Sequence, residues 1–244
     1  MLSQEQVKAC YRRKEWPLLD APVNVRVKFQ KIGDLQYISH LDLQRTLHRI
    51  LVRAGIPMWY TKGFNPHAKI VFSTPLSVGA QSICEMVDIR IDRDMPCETI
   101  KELLNHEVTD ELRILDVYIA ETKFADIAWA TYEIELHEDG IAKKAAEILA
   151  IAKENQLLTT KKTKSGEKEI DILPLIRELS VATGEDCDSV RLTAMLSLGS
   201  DNYLNPELLL SVVKQKVGIL STEDSWYSIV RTASYTADGV TEFR

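Results

Sequence analysis

The period of the hydrophobic positions changes several times along the chain. Val23 to Phe29 (VNVRVKF) alternates apolar and polar, the period of a half-buried strand. Beyond Ser39 the period lengthens, and Leu43, Leu47, Ile50, Leu51 and Ala54 form one helical stripe. Ser39 is placed to cap this helix with Asp42 three residues on, and Gly55 and Pro57 end it. PMWYT (Pro57 to Thr61) and AKIVFS (Ala68 to Ser73) read as short strands, and EMVDIRI (Glu85 to Ile91) alternates cleanly. Pro96 opens a second helix to about His106, and LRILDVYIA (Leu112 to Ala120) reads as a strand.

The order strand, helix, strand, strand, helix, strand then recurs. Thr131 to His137 predicts a strand and Ile141 to Asn155 a helix; Leu157 to Leu173 predicts a hairpin turning at Ser165-Gly166. A short helix is expected after Pro174, a strand at Ser189 to Leu198, a helix from Asn205-Pro206 to about Val217, and a strand at Trp226 to Thr232. The expectation is α+β: a tandem pair of ferredoxin-like (βαββαβ) domains with antiparallel sheets, at 23–122 and 123–244, after an N-terminal extension at 1–22.

Charge sharpens this picture. Residues 1–72 carry twelve Lys and Arg against five Asp and Glu, a balance of +7, whereas the remainder carries −13 in a protein of net charge −6. A basic front end in an acidic chain points to a local surface for a polyanion. Cys10, Cys84, Cys97 and Cys187 are far apart and form no C-x-x-C pair, so no metal or iron-sulfur site is expected in this chain. No apolar run approaches the roughly 20 residues of a membrane span, and the first residues lack a signal-peptide core, so a cytoplasmic protein is expected.

The candidate chemistry lies between Ser39 and Gly79. Arg45, Arg49 and Arg53 recur every four residues opposite the apolar stripe of the first helix, a spacing that suits phosphate contact by guanidinium groups. His40 stands in the first helical turn, where the positive end of the helix dipole favours a neutral imidazole. In KGFNPHAK (Lys62 to Lys69), Gly63, Asn65 and Pro66 shape a loop that carries Phe64, as a core plug or a stacking face, between Lys62 and Lys69. His67 ends that loop. The two histidines are expected at one edge of the domain, in one cleft with Arg45 and Lys62, where they would serve as catalytic groups if the protein cleaved RNA at a 2′-hydroxyl.

The segment Lys31 to Ile89, with its SHLDL, GFNPH and PLSVG runs and the Glu85 to Asp88 stretch, resembles the bacterial radical SAM-linked proteins. Ala68 departs from the family's pattern, which has a second Pro after the His. The resemblance implies a radical SAM partner that carries the iron-sulfur cluster and S-adenosylmethionine, since this chain lacks the cysteine triplet. With the charge asymmetry it implies a non-catalytic accessory protein directed to RNA, in tRNA or rRNA metabolism. A more distant architectural likeness is to CRISPR repeat-processing endonucleases, although SLGSDN (Ser197 to Asn202) is a poor match for their glycine-rich loop. A protein-interaction module is the third alternative, because exposed aromatics and Arg also anchor protein interfaces.

Overall fold

The computed structural model describes residues 16–163, 166–184, 186–199 and 202–244. Cys10, the turn residue Ser165, and Ser200 and Asp201 of the SLGSDN stretch lie outside them. The described residues form a mixed α/β chain with antiparallel sheet pairing and four α-helices. None of these helices is long and apolar enough to cross a membrane. The chain divides into two compact units, one ending at Phe124 and joined by Arg244, the other spanning Ala125–Phe243.

In the first unit, β1 (Leu18–Lys31) leads to α1 (His40–Arg53), β2 (Ile70–Phe72), β3 (Ala80–Arg93), α2 (Cys97–Glu107) and β4 (Ile114–Ile119). The strands lie in the order β4-β1-β3-β2, every pair antiparallel. Alternation does the work the sequence expects of it. Val25, Val27 and Phe29 of β1 and Val87, Ile89 and Ile91 of β3 pack in one core with Leu43, Leu47, Ile50 and Leu51 of α1 and Ile100, Leu103 and Leu104 of α2.

Two sequence expectations need correction here. β1 begins at Leu18, inside the segment expected to be an extension. Pro22 falls where the register shifts between Leu18↔Arg93 and Val23↔Ile91, a place where a sheet tolerates proline. PMWYT does not run as a strand. It touches the sheet only through the Met58↔Ile91 bridge, and the chain then leaves the edge, returning when Ile70 pairs with Ile89.

Between the core positions of β1 sits Arg26, with no exposed surface. Its guanidinium donates to both oxygens of Asp88 on β3 (2.7 and 2.9 Å) and to the hydroxyl and carbonyl of Thr122 (2.7 and 2.9 Å), while stacking 4.3 Å from the centre of the Phe124 ring. Pairing the charge bidentately and engaging two further donors is what makes its burial tolerable.

The second unit repeats the element order with one insertion. β5 (Trp129–His137) leads to α3 (Ala145–Ala150), the hairpin β6 (Leu158–Thr163) and β7 (Gly166–Asp171), then β8 (Ile176–Thr183), β9 (Ser189–Ser197), α4 (Pro206–Val217) and β10 (Trp226–Tyr235). Its sheet runs β10-β5-β9-β8, again antiparallel throughout. The helix expected at 141–155 is three pieces, with 3-10 turns at Ile141–Lys144 and Ile151–Lys153 on either side of α3. No side chain caps the start of any of them, and uncapped ends tighten into 3-10 geometry. The short helix expected after Pro174 is a single 3-10 turn, Leu173–Leu175, and then the strand β8. A register shift between Ile176 and Glu178 breaks the alternation of β8 and hid it.

Candidate functional site

The start of α1 is built as the sequence requires. The Ser39 hydroxyl accepts from the Asp42 backbone N–H (3.2 Å) and donates to the Asp42 carboxylate (2.7 Å). That bond, and then one from Arg45, hold the Asp42 carboxyl below its ordinary pKa. His40 follows the cap. Its Nε2 is hydrogen-bonded to the Gln44 side-chain amide at 2.9 Å, and its ring meets Phe72 edge-on with centroids 5.2 Å apart.

Beside His40 opens a small pocket whose walls include Lys31, Phe72, Thr74, Leu76 and Glu85. Its volume is about 10 Å³, room for one water-sized group. Lys31 and Glu85 are only 2 % and 4 % exposed. The Lys31 ammonium donates to the carbonyls of Gln36 (3.3 Å) and Ala80 (3.1 Å), and Glu85 lies opposite Phe29 on β3. Sequence reasoning missed both residues, although a signal was present. Lys31 continues the core parity of Val25, Val27 and Phe29, and Glu85 precedes Val87, Ile89 and Ile91 in the same parity. A charge in a core position must be paired or lie at a site.

The arginines of α1 are not equivalent. Arg45 is ion-paired with Asp42 at 3.0 Å while both stay largely exposed; Arg53 is held at 2.7 Å by Glu107 of α2. Arg49 is exposed and lines a shallow depression with Gln44, Arg45 and His48. Arg45 and Arg53 thus each share their charge with a carboxylate while staying largely exposed, and Arg49 lies between them.

The GFNPH loop is a hairpin standing off the edge of β3. Tyr60 bridges Ala68, the Thr61 N–H donates to the His67 carbonyl, and the His67 N–H donates to the Thr61 hydroxyl, both at about 3 Å. At its base the Trp59 N–H donates to the Arg90 carbonyl (2.7 Å), and the Arg90 guanidinium lies 5.0 Å from the indole centre. Gly63 has φ 154°, a conformation open essentially to glycine. Phe64 is fully exposed, and Lys62, Asn65, Pro66, His67 and Lys69 are exposed around it. The ring is a presented face and not a core plug.

The cleft expected to join His40, His67, Arg45 and Lys62 is not what forms. The pocket at His40 is lined by Phe72 from the far end of β2, beside Glu85, whereas the hairpin leaves β3 near Ile89 and Ile91, where α1 has ended. His67 precedes Phe72 by five residues of extended chain, about 16 Å at the rise of a strand. The expectation needs the short strand PMWYT to carry the chain back to the start of the helix; pairing only at Met58, it leaves the loop at the opposite end of the helix. Among the described residues no group of three or more His, Cys, Asp or Glu side chains comes together as metal ligands.

Fold and site thus define a mixed α/β protein that presents an exposed aromatic hairpin, a basic helix and a small pocket with buried charges. The chain belongs to the family described as "Uncharacterized protein conserved in bacteria" (DUF2344), whose model matches residues 24–206. No curated protein matches it. Among solved structures it is similar to one described as an unknown protein from Galdieria sulphuraria, at 11 % identity over 86 % of this chain and 99 % of that one, with a TM-score of 0.26.

Proposed function

We propose that the protein is a non-catalytic RNA-binding accessory factor that works in the cytoplasm with a radical SAM partner, in tRNA or rRNA metabolism. The observation that carries the RNA reading is Phe64, fully exposed at the tip of a pinned hairpin between two exposed lysines. Single-stranded RNA is held by a base stacked on an aromatic face together with neutralised phosphates. Lys62 and Lys69 supply the neutralisation at the tip, and Arg45 and Arg49 extend it along α1. The partner is supported by the resemblance over Lys31 to Ile89, and the iron-sulfur cluster and S-adenosylmethionine belong to that partner. The strand orders β4-β1-β3-β2 and β10-β5-β9-β8 support reading the units as two ferredoxin-like domains, the second with a hairpin inserted.

Fluorescence anisotropy with a single-stranded RNA oligonucleotide, titrated across salt, tests the RNA reading. Binding should weaken steeply with salt, and Phe64→Ala should weaken it at every salt concentration. A wild-type protein that binds no RNA at low ionic strength, yet co-purifies with its radical SAM partner after nuclease treatment, would overturn it in favour of a protein-docking hairpin.

A further inference from the structure

The pocket beside His40 is too small for a base or a phosphate, and its lining is part polar and part apolar. Apolar defects are lined by hydrocarbon and stay dry; this one brings Lys31, His40, Thr74 and Glu85 to a space of about 10 Å³. Those side chains offer donors and acceptors together. The group that fits is small, uncharged, and both donor and acceptor: a hydroxyl. Ile38, Leu43, Phe72, Pro75 and Leu76 supply the apolar part of the wall, suited to the carbon skeleton that would bear it.

The surroundings narrow the choice further. Gln44 holds Nε2 of His40 and also lines the adjoining depression with Arg45, His48 and Arg49. At the rise of an α-helix, Arg45 and Arg49 stand about 7.5 and 13.5 Å along the axis from His40, the scale on which successive phosphates follow a sugar. We infer that this pocket receives a ribose 2′-hydroxyl, so that the protein selects RNA over DNA at this position. The inference rests on the RNA reading above and adds the residues that make the selection. The 2′-hydroxyl is the feature by which a protein can tell the two polymers apart at a single site. It must enter a space already fixed by the buried ends of β1 and β3, so a methyl on the oxygen does not fit.

The test uses the full chain and three labelled oligonucleotides of one single-stranded sequence, as RNA, DNA and 2′-O-methyl RNA, at one low salt concentration. RNA should bind about tenfold more tightly than DNA, the scale of one well-made buried hydrogen bond, with 2′-O-methyl RNA behaving as DNA. Thr74→Val, nearly isosteric, should bring the RNA to DNA ratio close to one. Leu76→Phe, which fills the space instead of changing its polarity, should do the same. Phe64→Ala should weaken RNA and DNA alike and leave the ratio unchanged. Equal binding of RNA and DNA by the wild type would overturn the inference and make the pocket a structural water site, while the stacking hairpin would stand. A preference for RNA that survives both pocket variants would overturn it too. Absence of binding to all three oligonucleotides would overturn the RNA reading itself, and this inference with it.

Discussion

The two units share an order of elements and a strand order, yet they use their charges differently. The second carries twelve Lys and Arg against twenty Asp and Glu, and the first eighteen against sixteen. The first unit hides charges: Arg26 is wholly buried against Asp88, and Lys31 and Glu85 are buried beside His40. The second buries Arg231 of β10, at 2 % exposure, but also pairs charges on its surface, as with Arg191 and Glu135, paired at 2.8 Å across neighbouring strands with both side chains well exposed. The same backbone plan therefore tolerates either arrangement. What distinguishes the units is chemistry added to the plan: among the described residues the first buries Arg26, Lys31 and Glu85, the last two beside a pocket, and the second buries Arg231.

The sharpest way to break this comparison is to remove one charge from each unit. Arg26→Ala leaves Asp88 without its bidentate partner and should cost about 3 to 5 kcal/mol, the penalty for breaking a buried pair. Arg191→Ala should leave the urea midpoint where it was. Equal shifts in chemical denaturation would show that burial does not separate the two pairs. Next in size is Phe64→Ala, which should cost RNA binding about 1 to 3 kcal/mol, as stacking losses do, with no change in the unfolding curve because the ring touches no core. A matching exposed aromatic of the second unit, Trp226→Ala, should leave RNA affinity unchanged.

Helix caps give a smaller and more even effect. Ser39 caps α1 in the first unit and Asn205 caps α4 in the second, accepting from the Glu207 N–H at 3.1 Å. Each replacement by Ala should destabilise by about 1 kcal/mol. If the units unfold separately, calorimetry will show Ser39→Ala lowering one transition and Asn205→Ala the other. Smallest is the loss of Lys62 and Lys69 together, which should flatten the dependence of RNA binding on salt by about 0.7 per lysine, the increment for a single-strand phosphate contact.

Much of this architecture is legible in the sequence because alternation and helix punctuation are strong in it. Ser39, Gly55, Pro96 and Asn205-Pro206 mark helix ends that the structure reproduces within a residue or two. The failures occur where pairing is irregular. The shift near Pro22 hid the start of β1, the one after Ile176 hid β8, and the isolated Met58 bridge misplaced the hairpin. The exposed loop was legible as a feature, since Gly63 and Asn65-Pro66 announce it, but its end of the sheet was not. Lys31 and Glu85 were overlooked for a different reason: a single charge continuing a strand's parity looks like the end of the strand until its burial is known.

Arg26 has a consequence for the order in which the first unit can be completed. Its partners lie 62 and 96 residues further along the chain, so a ribosome delivering the protein from the N-terminus exposes β1 long before it delivers either. Until Asp88 arrives the guanidinium has water as its only suitable solvent, and β1 cannot be closed over without stranding a charge. Closure thus waits for contacts of high sequence separation, which are slow to form. Domains emerge in order during synthesis, and here the far hydrogen-bond partner of Arg26 is Thr122, two residues before Phe124, after which only Arg244 of the first unit is still to come. A nascent chain halted before Thr122 has left the exit tunnel should accordingly remain open to protease, and one released just beyond it should not.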